Sequence, residues 1–458
     1  MIDPNVPVEY AIVGGGISGL STAWFLKQRG YSVRVLEAEL EVGGTLRSHV
    51  RNGFLIERGP NSTLENTDAL GELIEGVGLD AKLQVASPLG KRRYLFKNQR
   101  LVPLPLGPIA FLGSPLFSVA GKLRLFAEPF IGRASQEESV AEFVRRRLGQ
   151  EFLDWAIDPF ISGVYAGDPE KLSVRAATAK VYALEAQYGS LLRGMIIRGL
   201  SGKKTGPTPS GRLISFSGGI QTLARGVANA LGPESVRTRV QVTKLSRVPG
   251  GWQVHHAKGH VSARNIVLCL PADKTADLVA PFSQEAAETL RAISYPPVAS
   301  IALGFRREQI KHPLNGFGLL IPRRCGLTTL GCLFSSSLFP DRAPTRQVLI
   351  TSFLGGARHP EISTWKEKEL ILQVLEDLRP ILGIQGSPTL QTTILWPRAI
   401  PQYELGHLDR VAKIDQALAQ SPGLFTRANW RDGISVADCV RNARSFSSSQ
   451  LHAQGVLD

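Results

Sequence analysis

Apolar residues near the amino end of the chain follow a strand pattern, then a helical pattern, then a strand pattern again. Residues 10–13 form a short apolar run, residues 17–28 repeat apolar positions at helical spacing, and residues 32–36 form a second apolar run. Gly30 ends the predicted helix. This order predicts a β-turn-α-turn-β unit, the usual start of a doubly wound α/β fold.

The rest of the chain mixes predicted helices and strands without an internal repeat. Helices are predicted over residues 65–80, 138–157, 170–200, 218–231 and 367–378. Strands are predicted over residues 236–245, 252–256, 265–269, 295–306, 316–321, 328–334 and 347–354. Residues 201–211 form a polar Gly/Pro loop, typical of a boundary or a mobile segment. The final 60 residues return to a strand-turn-helix pattern that ends near Arg444.

Residues 101–121 carry no charged side chain and are long enough to span a bilayer. Pro103, Pro105, Pro108 and Pro115 interrupt them, and each interior proline costs a helix about 3 kcal/mol. Since lipid offers no water to the freed backbone groups, a spanning helix is not expected. The stretch is expected to form an apolar surface that dips into one leaflet, a substrate tunnel or a plain buried segment.

The composition is that of a globular protein with a basic excess. The 458 residues include 53 basic and 39 acidic side chains, a net charge of +14. This charge suits nucleic acid, anionic lipid or an acidic small molecule, but also an ordinary charged surface. Four cysteines without a CxxC pair favour neither a zinc site nor a disulfide framework, which is typical of a reducing compartment. No signal peptide and no metal site are expected.

A glycine-rich loop lies between the first predicted strand and its helix. Gly14, Gly16 and Gly19 fit the pattern GxGxxG, and Gly15, Ile17 and Ser18 fill the positions between them. Such glycines allow a tight turn, close approach of a pyrophosphate and close packing of helix on sheet. Glu37 ends the second strand, where a carboxylate accepts hydrogen bonds from ribose hydroxyls. Together they predict a dinucleotide cofactor.

A second glycine motif favours FAD over NAD(P). Gly43 and Gly44 follow Glu37 closely and are followed by Thr45. A glycine doublet here lets backbone amides and a nearby side chain reach the FAD diphosphate, whereas NAD dehydrogenases usually continue directly into another βα unit.

Four longer stretches resemble the flavin amine oxidase superfamily and, within it, the oxygen-dependent protoporphyrinogen oxidases. They are residues 57–62 (ERGPNS), 158–173 (DPFISGVYAGDPEKLS), 396–407 (WPRAIPQYELGH) and 430–442 (WRDGISVADCVRN). The runs GFGLLIP at 316–322 and LFSSSLFPDRAP at 333–344 extend the resemblance over nearly the whole chain. GVYAGD and AIPQY are much narrower signals than GxGxxG.

The resemblance implies an α/β (α+β) fold in three parts. A Rossmann-like FAD-binding domain, discontinuous in sequence, would comprise residues 1–88, 205–272 and 392–458. Residues 89–204 would form a mostly helical membrane-binding and substrate-channel domain, and residues 273–391 an inserted β-sheet domain that binds the substrate.

The resemblance also assigns FAD contacts to individual residues. Those expected at the diphosphate are Gly14, Gly15, Gly16, Ile17, Ser18, Gly19, Gly43, Gly44 and Thr45. Glu37 and Ala38 would hold the adenosine ribose, and Val240 would pair its backbone with adenine. The residues expected near the isoalloxazine or closing over the flavin are Gly59, Pro60, Asn61, Ser62, Trp396, Ile434, Ser435 and Val436.

Substrate contacts are implied in the same way. Leu320, Leu333 and Phe353 would grip the faces of a tetrapyrrole macrocycle. Arg93, with Arg92 beside it, would pair with a propionate, since guanidinium binds carboxylate in a bidentate manner. Gly163 and Gly167 would allow close approach of the ring and expose a carbonyl to the pyrrole N–H groups.

The implied reaction is the six-electron oxidation of protoporphyrinogen IX to protoporphyrin IX, the penultimate step of haem biosynthesis. In each of three rounds a hydride would pass from a meso carbon to flavin N5, a pyrrole proton would leave, and O2 would reoxidise the flavin to give H2O2. No general base is predicted, because Asn61 is too weak an acid or base.

The apolar stretch and the basic charge together predict a peripheral membrane protein. Lys122, Arg124 and Arg133 flank the apolar stretch at headgroup-like positions. The protein is expected in the cytoplasm, associated with the inner face of the cell membrane and without a nucleic-acid partner. The resemblance also allows a homodimer and hand-off of the product to a ferrochelatase-type enzyme.

Three positions depart from the family pattern, and three alternative functions stay open. Thr45 replaces a frequent arginine, Arg58 puts a cation beside the glycine-proline segment, and Ala428 stands where Gly-Asn is usual; none removes a group that the reaction needs. One alternative is an oxidase of coproporphyrinogen III, whose four propionates would call for more basic pocket residues. The others are an amine oxidase or carotenoid desaturase, and a prenyl-binding escort module without catalysis.

Overall fold

The computed structural model of the chain describes residues 6–200 and 211–453. The predicted polar loop at 201–211 lies outside these ranges except for its last residue. The strands are β1 Val8–Val13, β2 Val33–Leu36, β3 Ser48–Arg51, β4 Phe54–Glu57, β5 Thr63–Glu65, β6 Leu83–Val85, β7 Arg93–Lys97, β8 Arg100–Pro103, β9 Arg212–Phe216, β10 Val236–Arg237, β11 Val242–Val248, β12 Gly251–His256, β13 Gly259–Leu268, β14 Val298–Arg306, β15 Gly318–Leu320, β16 Thr329–Leu333, β17 Gln347–Gly355, β18 Leu390–Trp396 and β19 Leu424–Thr426.

The helices cover both large sheets and fill the segment between them. They are α1 Ile17–Gln28, α2 Asp68–Gly76, α3 Pro108–Gly113, α4 Val119–Phe126, α5 Val140–Arg147, α6 Gln150–Phe152, α7 Asp158–Tyr165, α8 Val174–Ala177, α9 Ala179–Tyr188, α10 Leu191–Leu200, α11 Gln221–Leu231, α12 Ala272–Val279, α13 Gln284–Arg291, α14 Ser335–Leu338, α15 Glu367–Leu382, α16 His407–Leu418, α17 Asn429–Asp432 and α18 Val436–Ala453. A π-helical turn, Leu153–Ile157, precedes α7.

The first large sheet has the strand order β10-β2-β1-β13-β12-β11, and β19 also pairs with β13. The pairings β10-β2, β2-β1, β1-β13 and β13-β19 are parallel, whereas β13-β12 and β12-β11 are antiparallel. Side chains of β1 alternate between two cores: Tyr10 and Ile12 pack with α1, α11 and α18, while Ala11 and Val13 pack with α12, α13 and α16. This three-layer arrangement confirms the predicted doubly wound α/β fold.

The second large sheet has the order β18-β14-β17-β16-β15-β7-β8 and is largely antiparallel. α15 covers one face, where Val374 and Leu378 pack with Ile301, Phe305 and other strand residues in a single core. The other face meets the first domain, where Phe54 and Ile56 of β4 pack with Leu390 and Ile394 of β18. The two large sheets are therefore joined through the short hairpin β3-β4.

The residues between β8 and β9 are mostly helical and contain a network of buried charges. The fully buried Arg147 pairs with Glu128 at 3.1 Å and also with Glu185. Glu128 in turn accepts hydrogen bonds from the backbone N–H groups of Leu191 and Leu192 at 2.9 and 3.1 Å. A buried charge must be paired and hydrogen-bonded to be tolerated, so this network fixes the start of α10.

The structure differs from the predicted domain boundaries at three places. Residues 93–103, expected in the helical domain, form β7 and β8 of the second sheet. Residues 272–291, expected in the substrate domain, form α12 and α13, which pack on the first sheet. β18, whose residues from 392 onward were expected in the FAD domain, is an edge strand of the second sheet. Pairing between distant strands decides these boundaries, and local sequence does not encode it.

One local expectation also needs correction. The strand expected over residues 236–245 is broken, because Arg239 and Val240 leave the sheet and donate their N–H groups to Glu39 O and Glu37 O. The apolar stretch 101–121 forms the end of β8, the short helix α3 and the start of α4. Within the described ranges no helix is long and apolar enough to cross a membrane.

Candidate active site

The glycine-rich loop joins the carboxyl end of β1 to α1, and its glycines are required by space. A Cβ on Gly14 (φ +106°) would lie 2.6 Å from Cys269 O, and one on Gly19 would lie 1.9 Å from Gly14 O. At Gly16 the nearest atom to such a Cβ would be Gly44 Cα at 3.9 Å, so the space beside Gly16 is open. The loop thus has a free backbone surface at the start of α1, as a diphosphate needs.

Glu37 stands at the end of β2 and braces this loop. Its Oε2 accepts a hydrogen bond from Gly15 N at 2.6 Å, and its Oε1 accepts one from Glu39 N at 2.9 Å. An ionised carboxylate can accept about four hydrogen bonds, so capacity remains for the hydroxyls of a ribose. The Val240 N–H is bonded to Glu37 O at 2.8 Å, which leaves the carbonyl of Val240 to reach adenine.

The second glycine motif lies directly against the first. Gly43 N donates to Gly15 O at 2.8 Å, and Gly44 (φ +59°) faces Gly16. A Cβ on Gly59 would lie 2.3 Å from Thr45 O, so the segment Gly59–Ser62 packs onto the doublet. Three stretches far apart in the sequence therefore form one wall, and their open surface at Gly16 fits the diphosphate of FAD.

Beneath the doublet lies a buried ion pair that the sequence did not reveal. Glu57 Oε1 is 3.2 Å from Arg342 Nη2 and accepts a hydrogen bond from Ile220 N at 3.0 Å. Ser48 donates to Glu57 Oε2 at 2.5 Å. Burial raises the pKa of Glu57 to about 7, against the opposing effect of Arg342. The only signal in the sequence was the position of Glu57 in ERGPNS.

Trp396 links the second sheet to the segment 57–62, which is expected beside the flavin. It is the last residue of β18, and its Nε1 donates to Arg58 O at 2.6 Å. Asn61 makes only a long contact, from Nδ2 to Gly59 O at 3.4 Å. Arg58 thus contributes to this wall through its backbone carbonyl.

The carboxyl-terminal motif returns to the glycine-rich loop. Ser435 accepts a hydrogen bond from Asp438 N at 3.0 Å and so begins α18 just before Val436. A small cavity is lined by Ser18 from the loop and by Ala428, Cys439 and Asn442 from this region. The first turns of α18 therefore lie beside the start of α1, and the contact of residues 434–436 with the flavin stays a prediction.

The residues expected to bind the substrate share one face of the second sheet. Leu320, Gly331 and Phe353 are direct neighbours on β15, β16 and β17, and Leu333 lies two positions from Gly331 on the same face. Arg93 pairs with Gly318 of β15 in the next row. Neighbouring strands are about 4.8 Å apart, so the Cα atoms of Leu320 and Phe353 are about 10 Å apart, with only Gly331 between them.

Arg93 is the partly buried cation of this face. Its guanidinium lies 5.1 Å from the centre of the Phe317 ring and forms no ion pair with any carboxylate of the described ranges. Burial lowers the pKa of Arg93. Lys97 lies on the same strand face, but its Nζ donates to Leu116 O at 2.7 Å. Arg92 is exposed, so Arg93 is the side chain that an anionic ligand would stabilise.

Gly163 and Gly167 make room for the side chains of Leu320 and Gln402, and two carbonyls between these glycines are already hydrogen-bonded. A Cβ on Gly163 would lie 2.4 Å from Leu320 Cδ2, and one on Gly167 would lie 2.6 Å from Gln402 Oε1. Tyr165 O accepts from Gln402 Nε2 at 2.9 Å, and Ala166 O accepts from Ala357 N at 2.8 Å. Both carbonyls thus already accept one hydrogen bond, and the exposure of a carbonyl to pyrrole N–H groups stays a prediction.

A salt bridge that the sequence did not predict fixes α7 at both ends. Arg358 pairs with Asp158, the first residue of α7, and with Asp168 at 3.5 Å, just beyond it. The partners lie about 200 positions apart, so no local pattern announces them. Within the described ranges, no cluster of three or more His, Cys, Asp or Glu side chains could hold a metal ion.

Comparison with known proteins identifies the protein family to which the chain belongs. The family model for flavin containing amine oxidoreductases matches residues 17–444. The chain is 33% identical to protoporphyrinogen oxidase 2 of Arabidopsis thaliana, covering 94% of this chain and 91% of the relative. It is 30% identical to coproporphyrinogen III oxidase of Bacillus subtilis strain 168, covering 96% and 97%.

A solved structure agrees with this result. The crystal structure of a protein from Exiguobacterium sp. 255-15, provisionally named a protoporphyrinogen oxidase, superposes with a TM-score of 0.83. The two sequences are 25% identical, and the match covers 97% of this chain and 99% of that one. The chain thus has the overall fold of a relative of known structure.

Proposed function

The chain belongs to the flavin containing amine oxidoreductases and is an FAD-dependent oxidoreductase, and we propose that it oxidises a porphyrinogen to the porphyrin in haem biosynthesis. The substrate we infer is protoporphyrinogen IX, with O2 as the acceptor and H2O2 as the product. The relatives named for porphyrinogen oxidation, each matched over more than nine-tenths of both chains, support the substrate class.

The observation that carries the proposal is Arg93, a cation that forms no ion pair with a carboxylate of the described ranges and lies beside apolar residues on one sheet face. Leu320, Leu333 and Phe353 offer apolar contact to a flat ring from neighbouring strands of one sheet face. A macrocycle with acidic substituents needs both features, an apolar slot and a cation at its edge. An amine substrate would be repelled by the unpaired guanidinium.

The protein's part in the reaction is to bind, orient and exclude water. Phe353 and Leu333 cover the ring, while Arg93 fixes its rotation by holding one carboxylate. Trp396, bonded to Arg58 O, places the end of β18 beside the flavin-side segment. When bound, FAD would accept hydride equivalents from the ring and return the electrons to O2.

The number of available cations favours protoporphyrinogen over coproporphyrinogen. Of the two cations on β7 that point to this face, Lys97 is bonded to a backbone carbonyl and Arg93 is not paired with a carboxylate. A substrate with four propionates would leave several carboxylates without a partner in a partly buried site, which is unfavourable. Coproporphyrinogen III remains the second candidate because of the Bacillus subtilis relative.

Steady-state oxidation tests the proposal. The purified enzyme is supplied with either porphyrinogen in air, and porphyrin fluorescence and H2O2 are followed together. We expect protoporphyrin formation with a higher kcat/KM than coproporphyrin formation, and about one H2O2 for each pair of hydrogens removed. The proposal fails if neither porphyrinogen is oxidised faster than without enzyme; a preference for coproporphyrinogen would transfer the assignment to the second candidate.

An apolar surface on the helical segment supports membrane attachment. Its exposed members are Leu106, Ile109, Leu112, Val119, Leu123, Phe126, Phe130, Ile196 and Ile197, and Ile109 and Phe130 are 88% and 85% exposed. Apolar patches of this kind mark interaction sites, and a lipid leaflet would cover such a surface. Arg133 is exposed nearby, whereas Arg124 donates to Arg146 O at 2.6 Å.

We therefore propose peripheral attachment to the inner face of the cell membrane, from which a sparingly soluble substrate can enter. A homodimer and product transfer to a ferrochelatase-type enzyme stay predictions from the family resemblance.

A further inference from the structure

The segment between β18 and α16 contacts both walls of the site through adjacent residues. Gln402 Nε2 donates to Tyr165 O at 2.9 Å, at the end of α7. The Tyr403 hydroxyl donates to Asn429 O at 2.5 Å and accepts from Gly433 N at 2.8 Å. Since Gly433 leads into residues 434–436, one dipeptide joins the substrate-side helix to the flavin-side turn.

Tyr403 itself is held from several directions. Its ring is 4% exposed and stacks on the His407 ring, with centroids 4.1 Å apart and planes at 12°. Tyr403 O accepts from Ser173 N at 2.8 Å, and Glu137 Oε2 accepts from Gly406 N at 2.9 Å. These contacts hold the phenol oxygen of Tyr403 in a fixed position.

The turn at Gly433 depends on this oxygen. Gly433 has φ +135°, and a Cβ there would lie 2.6 Å from Asp438 Cβ, so a side chain cannot be accommodated. Without a side chain to pack, the turn is positioned by its backbone hydrogen bonds. The Tyr403 hydroxyl contacts Asn429 and Gly433 at once and thereby closes it.

We propose that Tyr403 is a positioning residue for FAD, which holds the Gly433 turn so that Ile434, Ser435 and Val436 lie against the flavin. Tyr403 acts through Gly433 and does not itself touch the cofactor. The proposal rests on FAD lying against residues 434–436, but it does not depend on which porphyrinogen is the substrate.

Tyr403→Phe tests this role, since it removes both hydrogen bonds and keeps the ring stack. We expect the Kd of FAD to rise about tenfold, the effect of losing one or two net hydrogen bonds. The Kd is measured from the flavin fluorescence released on serial dilution of the holoenzyme. The visible absorption bands of the bound flavin are expected to shift as well.

Tyr10→Phe is the matched control. Tyr10 lies within β1, and its hydroxyl donates to Gln450 Oε1 of α18 at 3.1 Å. We expect a small loss of thermal stability in both variants, but a changed Kd and flavin spectrum only in Tyr403→Phe. A purely structural role of Tyr403 would lower the unfolding temperature and leave both flavin readouts unchanged, which would overturn the proposal.

A second variant keeps the test decisive if Tyr403→Phe does not fold. His407→Leu leaves the phenol in place but removes the ring on which it stacks, and we expect about a threefold rise in the Kd of FAD. An unchanged Kd would overturn the proposal. If the wild-type enzyme itself retains no FAD, the assignment of residues 434–436 fails and the proposal falls with it.

Discussion

At the scale of single residues, Arg93 combines two properties that seldom occur together. It is partly buried, and it has an aromatic ring instead of a carboxylate as its neighbour. Such a cation is poorly solvated and unneutralised, so a ligand carboxylate gains a charge-assisted hydrogen bond there. Under the proposed function, this cation selects an acidic substrate.

Arg93→Ala should therefore weaken substrate binding with little effect on FAD. A hydrogen bond between charged groups contributes about 1.5–3 kcal/mol, so we expect KM for protoporphyrinogen to rise at least about tenfold. Arg92→Ala is the control, because Arg92 is adjacent but exposed. Equal KM values for the two variants would remove Arg93 from the substrate site.

His407 should make the stability of the protein depend on pH. Burial, with help from Arg410, lowers the pKa of His407 from 6.5 to about 4. The folded state thus holds the ring neutral, so this contribution to stability is complete above pH 6.5 and is lost as the pH falls through about 4. From the shift we expect a loss of roughly 3 kcal/mol by pH 4.

The free energy of unfolding of wild type and His407→Leu, measured from pH 7 to pH 4, checks this. The difference between them should change in favour of the variant as the pH falls. Parallel curves would contradict the assigned pKa.

Residue types and their spacing predicted only the side of the site that Glu37 and the two glycine motifs form. Glu37 and the two glycine motifs lie together as their local pattern predicted. The ion pair of Glu57 with Arg342, and the bridge from Arg358 to Asp158, were missed because each joins residues far apart in sequence. Gln402 and Tyr403 lie in the segment 396–407 that carries the family resemblance, but the resemblance assigned them no role. Their hydrogen bonds become visible only in three dimensions.

At the scale of helices and strands, the proposed substrate slot depends on the contact of α7 with β15. Gly163 allows Leu320 to lie against the helix, and an added Cβ would be 2.4 Å from its Cδ2. The Leu320 side chain can move, so Gly163→Ala should displace it toward the slot and leave the fold intact. We expect KM for the porphyrinogen to rise several-fold, while FAD content stays that of wild type.

Gly71→Ala is the matched control for this prediction. Gly71 also lies in a helix, α2, but an added Cβ there would have no atom within 4 Å. Alanine is favoured over glycine in helices by up to about 1 kcal/mol, so stability should rise slightly and KM should not change. The role of Gly163 is refuted if both variants have the wild-type KM.

Most long elements were predicted from periodicity, whereas pairing was not. α1, α11, α15 and β14 lie close to their predicted ranges. β7 and β8, which pair with each other, were assigned to the helical domain, because only the pairing of β7 with β15, more than 200 positions away, shows that they belong to the second sheet. The break at Arg239 and Val240 has a similar cause, since the end of β2 supplies the acceptors.

At the scale of the whole molecule, the exposed apolar surface of the helical segment should bind lipid. Replacing Ile109 and Phe130 by aspartate puts two charges where a leaflet would lie. We expect the fraction that co-sediments with anionic phospholipid vesicles to fall several-fold. Leu372→Asp is the control, because Leu372 is 47% exposed on α15, outside this surface. Equal sedimentation of all three proteins would contradict membrane attachment through this surface.

The central claim is that the FAD site and the substrate face serve one reaction, the oxidation of protoporphyrinogen. Anaerobic mixing of the holoenzyme with protoporphyrinogen IX, and separately with coproporphyrinogen III, isolates the transfer of electrons to the flavin. We predict bleaching of the flavin absorbance with both a faster rate and a lower half-saturating concentration for protoporphyrinogen IX. Equal rates with the two substrates, or no bleaching with either, would contradict the account.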